Sequence, residues 1–196
     1  MSKPKARVKR LSNRTILHIL TGSIATYKIP DLIKMMREEG ARAVCVQTAC
    51  AKEFVTETVL RTVSGERVYS EMFPKDAPFS VLHTSLADQP DLVLIAPASA
   101  NFIARLAAGI ADDLASCVAL ATRKPILIAP AMNDNMYTHP LTQRNIAQLR
   151  AIGHQFIDPI EGDLACGYVG VGHIAPHEAI LESVVGILAK KSKNRK

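Results

Sequence analysis

The stretch TILHILTGSIATYKIPDLIKMMREEG, residues 15–40, decides the fold of this chain. Its first six residues are rich in Ile and Leu and predict a short buried strand, and a turn of small residues follows at 21–25. From residue 26 to residue 39 apolar side chains recur at helical spacing, and Gly40 predicts the end of that helix. A strand, a short turn and a helix in this order begin a β-α-β crossover.

The same alternation continues along the rest of the chain. Further strands are predicted at 41–47, 91–96, 125–129 and 154–157, and further helices at 52–62, 100–108, 113–122, 141–151 and 176–190. The strand at 91–96 is a continuous apolar run, which is typical of a parallel strand covered on both faces. The sequence therefore predicts an α/β fold, a three-layer α/β/α domain with a parallel sheet.

Positive charge is concentrated at the two ends of the chain. Residues 1–14 and 190–196 hold many of the 24 Lys and Arg residues and no acidic residue, although the net charge of the whole is +6. We therefore predict a basic N-terminal tail at 1–14, a single domain at 15–189 and a basic C-terminal tail at 190–196. Aromatic residues make up only 5% and Trp is absent, so we predict no nucleic-acid binding, which uses aromatic faces for base stacking.

The cysteines and the apolar segments indicate the cellular location of the protein. Cys45, Cys50, Cys117 and Cys166 lack the C-x-x-C spacing of zinc and thioredoxin-like motifs, so we expect reduced thiols and no metal. No stretch reaches the roughly 20 apolar residues of a membrane span, and none has the pattern of a signal peptide. We expect a cytoplasmic protein without membrane contact.

Small polar residues follow several of the predicted strands, at the edge of the sheet where open α/β domains bind ligands. Gly22 and Ser23 stand between a strand and a helix, where backbone N–H groups favour a phosphate, although a tight structural connection has the same composition. Thr48, Ser99 and Asn101 follow the second and third strands. The convergence of these segments favours a mononucleotide-like ligand, but neither common nucleotide-binding motif is present.

Three other features allow both a functional and a structural interpretation. In the segment 130–137, Asn133 is either the N-cap of a following helix or a polar contact to a substrate between Met walls. His83 lies in a linker-like segment and is either a structural residue or a catalyst. The glycine-rich segment 162–172 is too flexible for a strand, and we interpret it either as a mobile flap carrying the Cys166 thiol or as an irregular connection.

Together these segments resemble the homo-oligomeric flavin-containing Cys decarboxylases over residues 15–188. The matching motifs, in the order of that family, are TGSIA at 21–25, His83 ahead of Leu86 and Asp91, PASAN at 97–101 with GIADDL at 109–114, PAMN at 130–133 with Met136, and LACG at 164–167. Two positions depart from the usual pattern. Tyr137 stands where Trp is usual, and His173-Ile174 stands where a small or basic residue and Met are common.

The resemblance implies a flavodoxin-like or Rossmann-like core that binds FMN, in homotrimers or dodecamers of trimers with active sites at subunit interfaces. The implied cofactor positions are Gly22, Ser23, Ile24, Thr48, Ala49, Cys50, Ser99, Ala100, Asn101, Phe102 and Ala131. The implied catalytic residues are His83 as base, Asn133 as holder of the substrate carboxylate and Cys166 as proton donor. Asn133, Asp163, Leu164 and Ala165 would line the substrate.

The pattern is closest to the family members of coenzyme A biosynthesis. It implies FMN-dependent decarboxylation of 4'-phospho-N-pantothenoylcysteine to 4'-phosphopantetheine, through a thioaldehyde and an enethiolate, with Cys166 supplying the last proton. One alternative is a peptidyl-cysteine decarboxylase, which acts on a precursor peptide and stops at the enethiol. Another is a regulatory flavoprotein subunit without turnover, although the presence of His83, Asn133 and Cys166 together is unexpected for such a subunit.

Overall fold

The structure is a computed structural model that describes residues 8–74, 81–163, 167 and 169–193. Its main feature is a six-stranded parallel sheet in the order β3-β2-β1-β4-β5-β6. The strands are β1 (Thr15–Leu20), β2 (Arg42–Gln47), β3 (Val68–Tyr69), β4 (Leu92–Ala98), β5 (Ile126–Pro130) and β6 (Gln155–Phe156). This is the doubly wound Rossmann order, in which the direction of winding reverses between β1 and β4.

Helices cover both faces of the sheet, so the predicted three-layer α/β/α fold is confirmed. The helices are α1 (Ile29–Glu38), α2 (Glu57–Ser64), α3 (Leu82–Asp88), α4 (Ala100–Ala108), α5 (Leu114–Ala121), α6 (Asp134–Thr138), α7 (Pro140–Ala151) and α8 (His177–Lys193). Side chains of α1, α2 and α8 form one buried cluster with the sheet, and those of α3, α4, α5 and α7 form the other.

Strand β1 shows how the sequence produces these two cores. Ile16 and Leu20 point into the cluster on the α1 side, whereas Leu17 and Ile19 point into the opposite cluster. Successive side chains of a strand point to opposite faces, so a strand with apolar residues on both faces is stable only between two helical layers. Strand β4 is buried along its whole length for the same reason.

The first two predicted helices are each divided into two pieces. A 3-10 helix at Ile24–Lys28 precedes α1, because Pro30 fits the first turn of a new helix and lacks the N–H that a continuing helix needs. Another 3-10 helix at Ala49–Glu53 precedes α2, whose N-cap Thr56 accepts a hydrogen bond from the N–H of Val59 at 3.3 Å. Helical periodicity alone does not reveal such breaks.

Two sequence interpretations are wrong. His83 lies in the helix α3 and not in a linker. The glycine-rich segment contains a two-stranded antiparallel ribbon of β7 (Ile160–Asp163) and β8 (Val169–His173). Two of its glycines allow close packing: a Cβ on Gly170 would lie 3.0 Å from the side chain of Asp134, and one on Gly172 would lie 2.1 Å from the carbonyl oxygen of Met132. A glycine that allows such an approach has the same sequence signature as one that gives flexibility.

The described part of the expected N-terminal tail packs against the domain. Leu11 is fully buried, and the guanidinium of Arg10 contacts the carboxylates of Glu39 and Glu182 at 3.0 and 2.6 Å. These residues therefore belong to the folded structure. At the other end, α8 continues to Lys193, so it includes the first four residues of the expected C-terminal tail. Within the described ranges, the helices are too short or too polar to span a bilayer.

A buried histidine makes the stability of this fold depend on pH. His18 in β1 is fully buried, its Nε2 lies 2.7 Å from the carbonyl oxygen of Ala96, and burial lowers its pKa to about 4. The unfolded chain binds this proton near pH 6.5, so the free energy of unfolding should fall as the pH drops from 7 towards 4. The expected contribution of His18 is roughly 2–3 kcal/mol.

Urea unfolding of the wild type and of His18→Leu across this pH range measures the effect. His18→Leu should be less stable at pH 7 because the hydrogen bond to Ala96 is lost, but its stability should vary less with pH. Parallel pH profiles for the two proteins would show that another group is responsible.

Candidate functional site

A cavity of 650 Å³ opens at the carboxyl ends of β1 and β4, where the strand order reverses. Its walls come from the segments after β1, β2, β4 and β5 and from the β7-β8 ribbon. Every cofactor residue implied by the resemblance lines it, namely Gly22, Ser23, Ile24, Thr48, Ala49, Cys50, Ser99, Ala100, Asn101, Phe102 and Ala131. Asn133 and Asp163 line it as well. The topology thus brings together residues that are more than 100 positions apart in the sequence.

Of the other predicted site residues, the structure describes only His83. His83 is half-buried on α3, which packs against α5, and it is not one of the lining residues of its own chain. Leu164, Ala165 and Cys166 lie outside the described residues. In the described ranges, no group of three or more His, Cys, Asp or Glu side chains is arranged to hold a metal ion.

Thr21 joins the two strands at the base of the cavity. Its hydroxyl donates to the carbonyl oxygen of Pro97 at 2.7 Å and accepts from the N–H of Ser99 at 2.9 Å. Ser99 then caps α4, since its Oγ accepts from the N–H of Phe102 at 3.3 Å. These three hydrogen bonds fix the position of the first turn of α4 beside the cavity.

Close packing and an unpaired hydroxyl mark the side of the cavity near β2. A Cβ on Gly22 would lie 2.5 Å from the Cβ of Cys50, so only glycine lets the turn after β1 approach the segment after β2. The buried Thr48 Oγ1 lines the same region and has no hydrogen-bond partner among the described atoms. A buried hydroxyl without a partner is costly, so a polar ligand atom here would be favoured.

Asn133 has both of the positions that the sequence allowed, at the N-cap of a helix and in the wall of the cavity. Its Oδ1 accepts from the N–H of Asn135 at 3.0 Å and caps α6, while the residue also lines the cavity beside Met132 and Met136. The N–H of Met132 donates to the carbonyl oxygen of Gly172 at 3.1 Å, which joins β8 to this segment. The ribbon therefore forms a wall of the cavity, and its position depends on this contact.

Among the residues that the structure describes, two cations line the cavity, and they have different partners. The guanidinium of Arg105 contacts Asp112, Asp113 and Ser116, at 3.0 Å for Asp113 and 2.9 Å for Ser116. Burial raises the pKa of Asp113, but hydrogen bonds from Arg105 and Ser116 outweigh it and leave the pKa below its ordinary value. The Nζ of Lys28 instead lies 2.7 Å from the Nε2 of His173.

Sequence reasoning missed Lys28 and noted His173 only as a departure from a family pattern. The two residues are 145 positions apart and share no motif. One signal in the sequence could have indicated that Lys28 lies near the ligand site. Lys28 stands only a few residues beyond the TGSIA motif, at the end of a segment that follows a strand.

Proteins with a doubly wound sheet bind their ligands in the crevice at the switch point, which is the place where the strand order reverses. The cavity of this chain lies at that place. A family model described as Flavoprotein matches residues 5–189 of the chain. The chain belongs to the Flavoprotein family, whose name denotes proteins that bind a flavin. The predicted membership among flavin-containing Cys decarboxylases is confirmed by the relatives that follow.

Curated relatives fall into two sizes. The coenzyme A biosynthesis bifunctional protein CoaBC of Bacillus subtilis is 42% identical over 172 residues, which are 88% of this chain and 42% of that protein. The chain thus spans less than half the length of the bifunctional relatives. A probable phosphopantothenoylcysteine decarboxylase of Streptococcus mutans is 42% identical over 173 residues, which are 87% of this chain and 97% of that protein.

Solved structures give the same class. A Cys-to-Ser mutant of PPC decarboxylase complexed with pantothenoylaminoethenethiol is 30% identical with a TM-score of 0.78, covering 87% of this chain and 96% of that one. The FMN-dependent cysteine decarboxylase SpaF is 27% identical with a TM-score of 0.82, covering 93% and 99%. The fold is therefore shared along nearly the whole chain.

Replacing Gly172 tests the contact that positions the ribbon. Gly172→Ala places a Cβ against the carbonyl oxygen of Met132 and should destabilise the fold by about 1–3 kcal/mol, as other overpacked sites do. Urea unfolding measures this change. The control is Gly186→Ala in α8, where a Cβ meets nothing within 4 Å and stability should stay equal or rise. Equal stability of Gly172→Ala and the wild type would contradict the tight packing.

Proposed function

We propose that this chain binds FMN in the cavity and catalyses decarboxylation of 4'-phospho-N-pantothenoylcysteine to 4'-phosphopantetheine. The observation that carries this proposal is the convergence of every cofactor residue implied by the motifs on one cavity at the switch point. The Streptococcus mutans relative, named as a probable phosphopantothenoylcysteine decarboxylase, supports the choice of reaction because it matches over nearly its whole length.

The residues present fit a flavin mononucleotide. A volume of 650 Å³ lies within the usual range for cofactor and ligand sites. The unpaired hydroxyl of Thr48 and the hydroxyl of Ser23 suit a phosphate, and Gly22 keeps the adjoining backbone accessible. The largely buried Phe102 and Ala131 offer apolar contacts of the kind that an isoalloxazine ring needs.

The protein's own groups would orient the substrate and move its protons. When bound, FMN supplies a two-electron acceptor for the Cys part of the substrate, whose thioaldehyde can take up the electrons left by departing CO2. The amide of Asn133 would hold the carboxylate beside Met132 and Met136, whose apolar side chains exclude water. His83 would remove a proton from the substrate, and Cys166 would return one to the product carbon. The reaction would be redox-neutral overall because the two electrons that FMN accepts would also be returned to the product, as a hydride.

Catalysis by His83 would require a second copy of the chain. His83 does not line the cavity of its own chain. It could therefore reach a substrate in such a cavity only if the cavity belonged to a neighbouring copy of the chain. Ile24, Tyr27 and Met136 line the cavity yet are exposed by 52%, 59% and 49%, and such an apolar rim is typical of an interface. These two observations support an interface between copies of the chain, and the family resemblance leads us to propose a homotrimer, or a dodecamer built of trimers, as the active form.

A peptide substrate is the second candidate. The structural similarity to SpaF, an FMN-dependent cysteine decarboxylase, favours FMN-dependent decarboxylation of a Cys group. It does not distinguish a small-molecule substrate from a peptide. The two candidates differ in their product, because a peptidyl-cysteine decarboxylase leaves an enethiol and needs no reduction. They also differ in their dependence on the Cys166 thiol.

Mass spectrometry of the products tests the proposal directly. Flavin-loaded wild-type protein incubated with 4'-phospho-N-pantothenoylcysteine should give a product that has lost CO2 alone. Cys166→Ser should give a product that has lost CO2 and two further hydrogens, because the last proton is not supplied, and His83→Asn should give no product. Loss of CO2 and two hydrogens with the wild type would favour the peptide reaction. No conversion by flavin-loaded wild type would refute the proposed substrate.

Gly22→Ala tests the cofactor site separately from the reaction. The added methyl group meets the Cβ of Cys50, so either the turn after β1 or the segment after β2 must move. We expect the affinity for FMN to fall at least about tenfold, which corresponds to roughly 1.4 kcal/mol. Fluorescence titration of the apoprotein with FMN measures this. Gly186→Ala is the matched control and should bind FMN as the wild type does; an unchanged Gly22→Ala would argue against the assigned position of the cofactor.

A further inference from the structure

A second cavity, which we call the amino-edge groove, lies at the opposite edge of the sheet from the candidate site. Its volume is 530 Å³, and it is formed by the segment 122–126 at the start of β5, the segment 152–155 at the start of β6 and the C-terminal half of α8. Ile126 lines this groove and Ala131 lines the first cavity, so β5 separates the two by about 16 Å at the rise of an extended strand. The groove is therefore a separate place from the proposed cofactor and substrate positions.

Three cations line the amino-edge groove, and its described lining includes no acidic side chain. They are the exposed Arg123, the half-buried Lys124 and the exposed Lys190 of α8. Within the described part of the chain, none of the three forms an ion pair, whereas Arg42 and Arg150 are each paired with a carboxylate. Like charges around one hollow repel one another, so a bound anion would stabilise all three.

The helix ends beside the groove do not account for these cations. Cations often stand near the C-terminal end of a helix, where they can bind its last carbonyl groups. The last carbonyls of α7, however, accept from the N–H groups of residues 152–154 at 3.0–3.3 Å, and α5 is closed by the N–H of Thr122, which donates to Val118 at 3.1 Å. The dipoles of these helices favour positive charge here but leave the ammonium and guanidinium donors for a ligand.

The rest of the lining indicates what kind of anion fits. Ile126 is buried and Ile187 half-buried, and Ile152 is exposed by 68% although it is a large apolar side chain. The half-buried imidazole of His154 adds a hydrogen-bonding group. A volume of 530 Å³ is far larger than an inorganic anion needs and lies within the range of organic ligand sites. The groove therefore suits an organic molecule with an anionic end.

Phosphate groups match the cations best. Arg binds phosphate oxygens with a planar pair of N–H donors and Lys binds them as a point charge. A diphosphate ester carries about three negative charges near neutral pH, which equal the charge of the three cations. We infer that the amino-edge groove is a second ligand site, which binds an organic diphosphate such as a nucleoside diphosphate. Arg123, Lys124 and Lys190 contact the phosphates, and Ile152 covers the organic group.

Calorimetric titration of the flavin-loaded protein with ADP tests the cations. ADP should bind without releasing FMN, and adenosine, which lacks the phosphates, should bind far more weakly. The double variant Arg123→Gln with Lys124→Gln should weaken ADP binding about 10- to 100-fold, the range of charge-assisted hydrogen bonds. The matched control is Lys34→Gln with Arg144→Gln, which removes the same charge from exposed positions outside both cavities and should bind ADP as the wild type does.

Ile152→Ser tests the apolar side of the groove. It should weaken binding of ADP several-fold and leave binding of pyrophosphate unchanged, because pyrophosphate has no organic group. The double variant of Arg123 and Lys124 should instead weaken binding of both ligands. The side chain of Ile152 is already exposed, so Ile152→Ser should unfold in urea as the wild type does, and this measurement separates lost binding from lost structure.

Several outcomes would overturn the inference. Release of FMN by ADP, or equal ADP affinity in the wild type and the double variant of Arg123 and Lys124, would place ADP in another site. Equal loss in the control variant would show an effect of net charge alone. No binding of ADP or pyrophosphate by the wild type would leave the groove without a phosphate ligand, and an unchanged ADP affinity in Ile152→Ser would exclude the organic part. These results do not depend on decarboxylation, so failure of the proposed function would leave this inference standing.

Discussion

The hydroxyl of Thr21 is the interaction on which the site depends. It donates to the carbonyl oxygen of Pro97 near the end of β4 and accepts from the N–H of Ser99, the N-cap of α4. The two strands at the switch point are therefore joined directly beyond their last paired residues, Ile19 and Ile95. Connections from these strands leave towards opposite faces of the sheet, and a crevice opens between them. Because Gly22 follows Thr21 and touches Cys50, the same anchor also determines how closely the segment after β2 approaches. Three segments of the cavity wall therefore depend on one residue.

Much of the central sheet could be predicted because buried parallel strands are rich in apolar residues on both faces, as β1 and β4 are. Elements without that signal were missed. Helix α3 has only seven residues, and its buried face amounts to Leu86 and Ala87, which is too short for helical periodicity to be evident. The β7-β8 ribbon was interpreted as flexible because glycine frequency does not distinguish a mobile loop from a strand packed against backbone.

The candidate site was predictable where it is built from segments that follow strands. Parallel strands end at the same edge of a sheet, so small polar residues after β1, β2 and β4 meet whatever their separation in the sequence. The β7-β8 ribbon obeys no such rule. It reaches the cavity through the hydrogen bond between Met132 and Gly172 and through close packing at glycine, and neither contact leaves a spacing in the sequence. The pairing of His173 with Lys28 could not be deduced for this reason.

The two cations of the cavity illustrate how the partner of a charge determines its use. Carboxylates cancel the charge of Arg105 and fix it to the start of α5, so its guanidinium stabilises local structure and offers little field to a ligand. The ring of His173, whose Nε2 lies 2.7 Å from the Lys28 Nζ, restricts the ammonium and, unlike a carboxylate, brings no negative charge to it. Preorganisation of this kind reduces the entropy lost on binding while preserving the attraction for an anion. A carboxylate in place of His173 would orient Lys28 equally well, but it would compete with the ligand for the same charge.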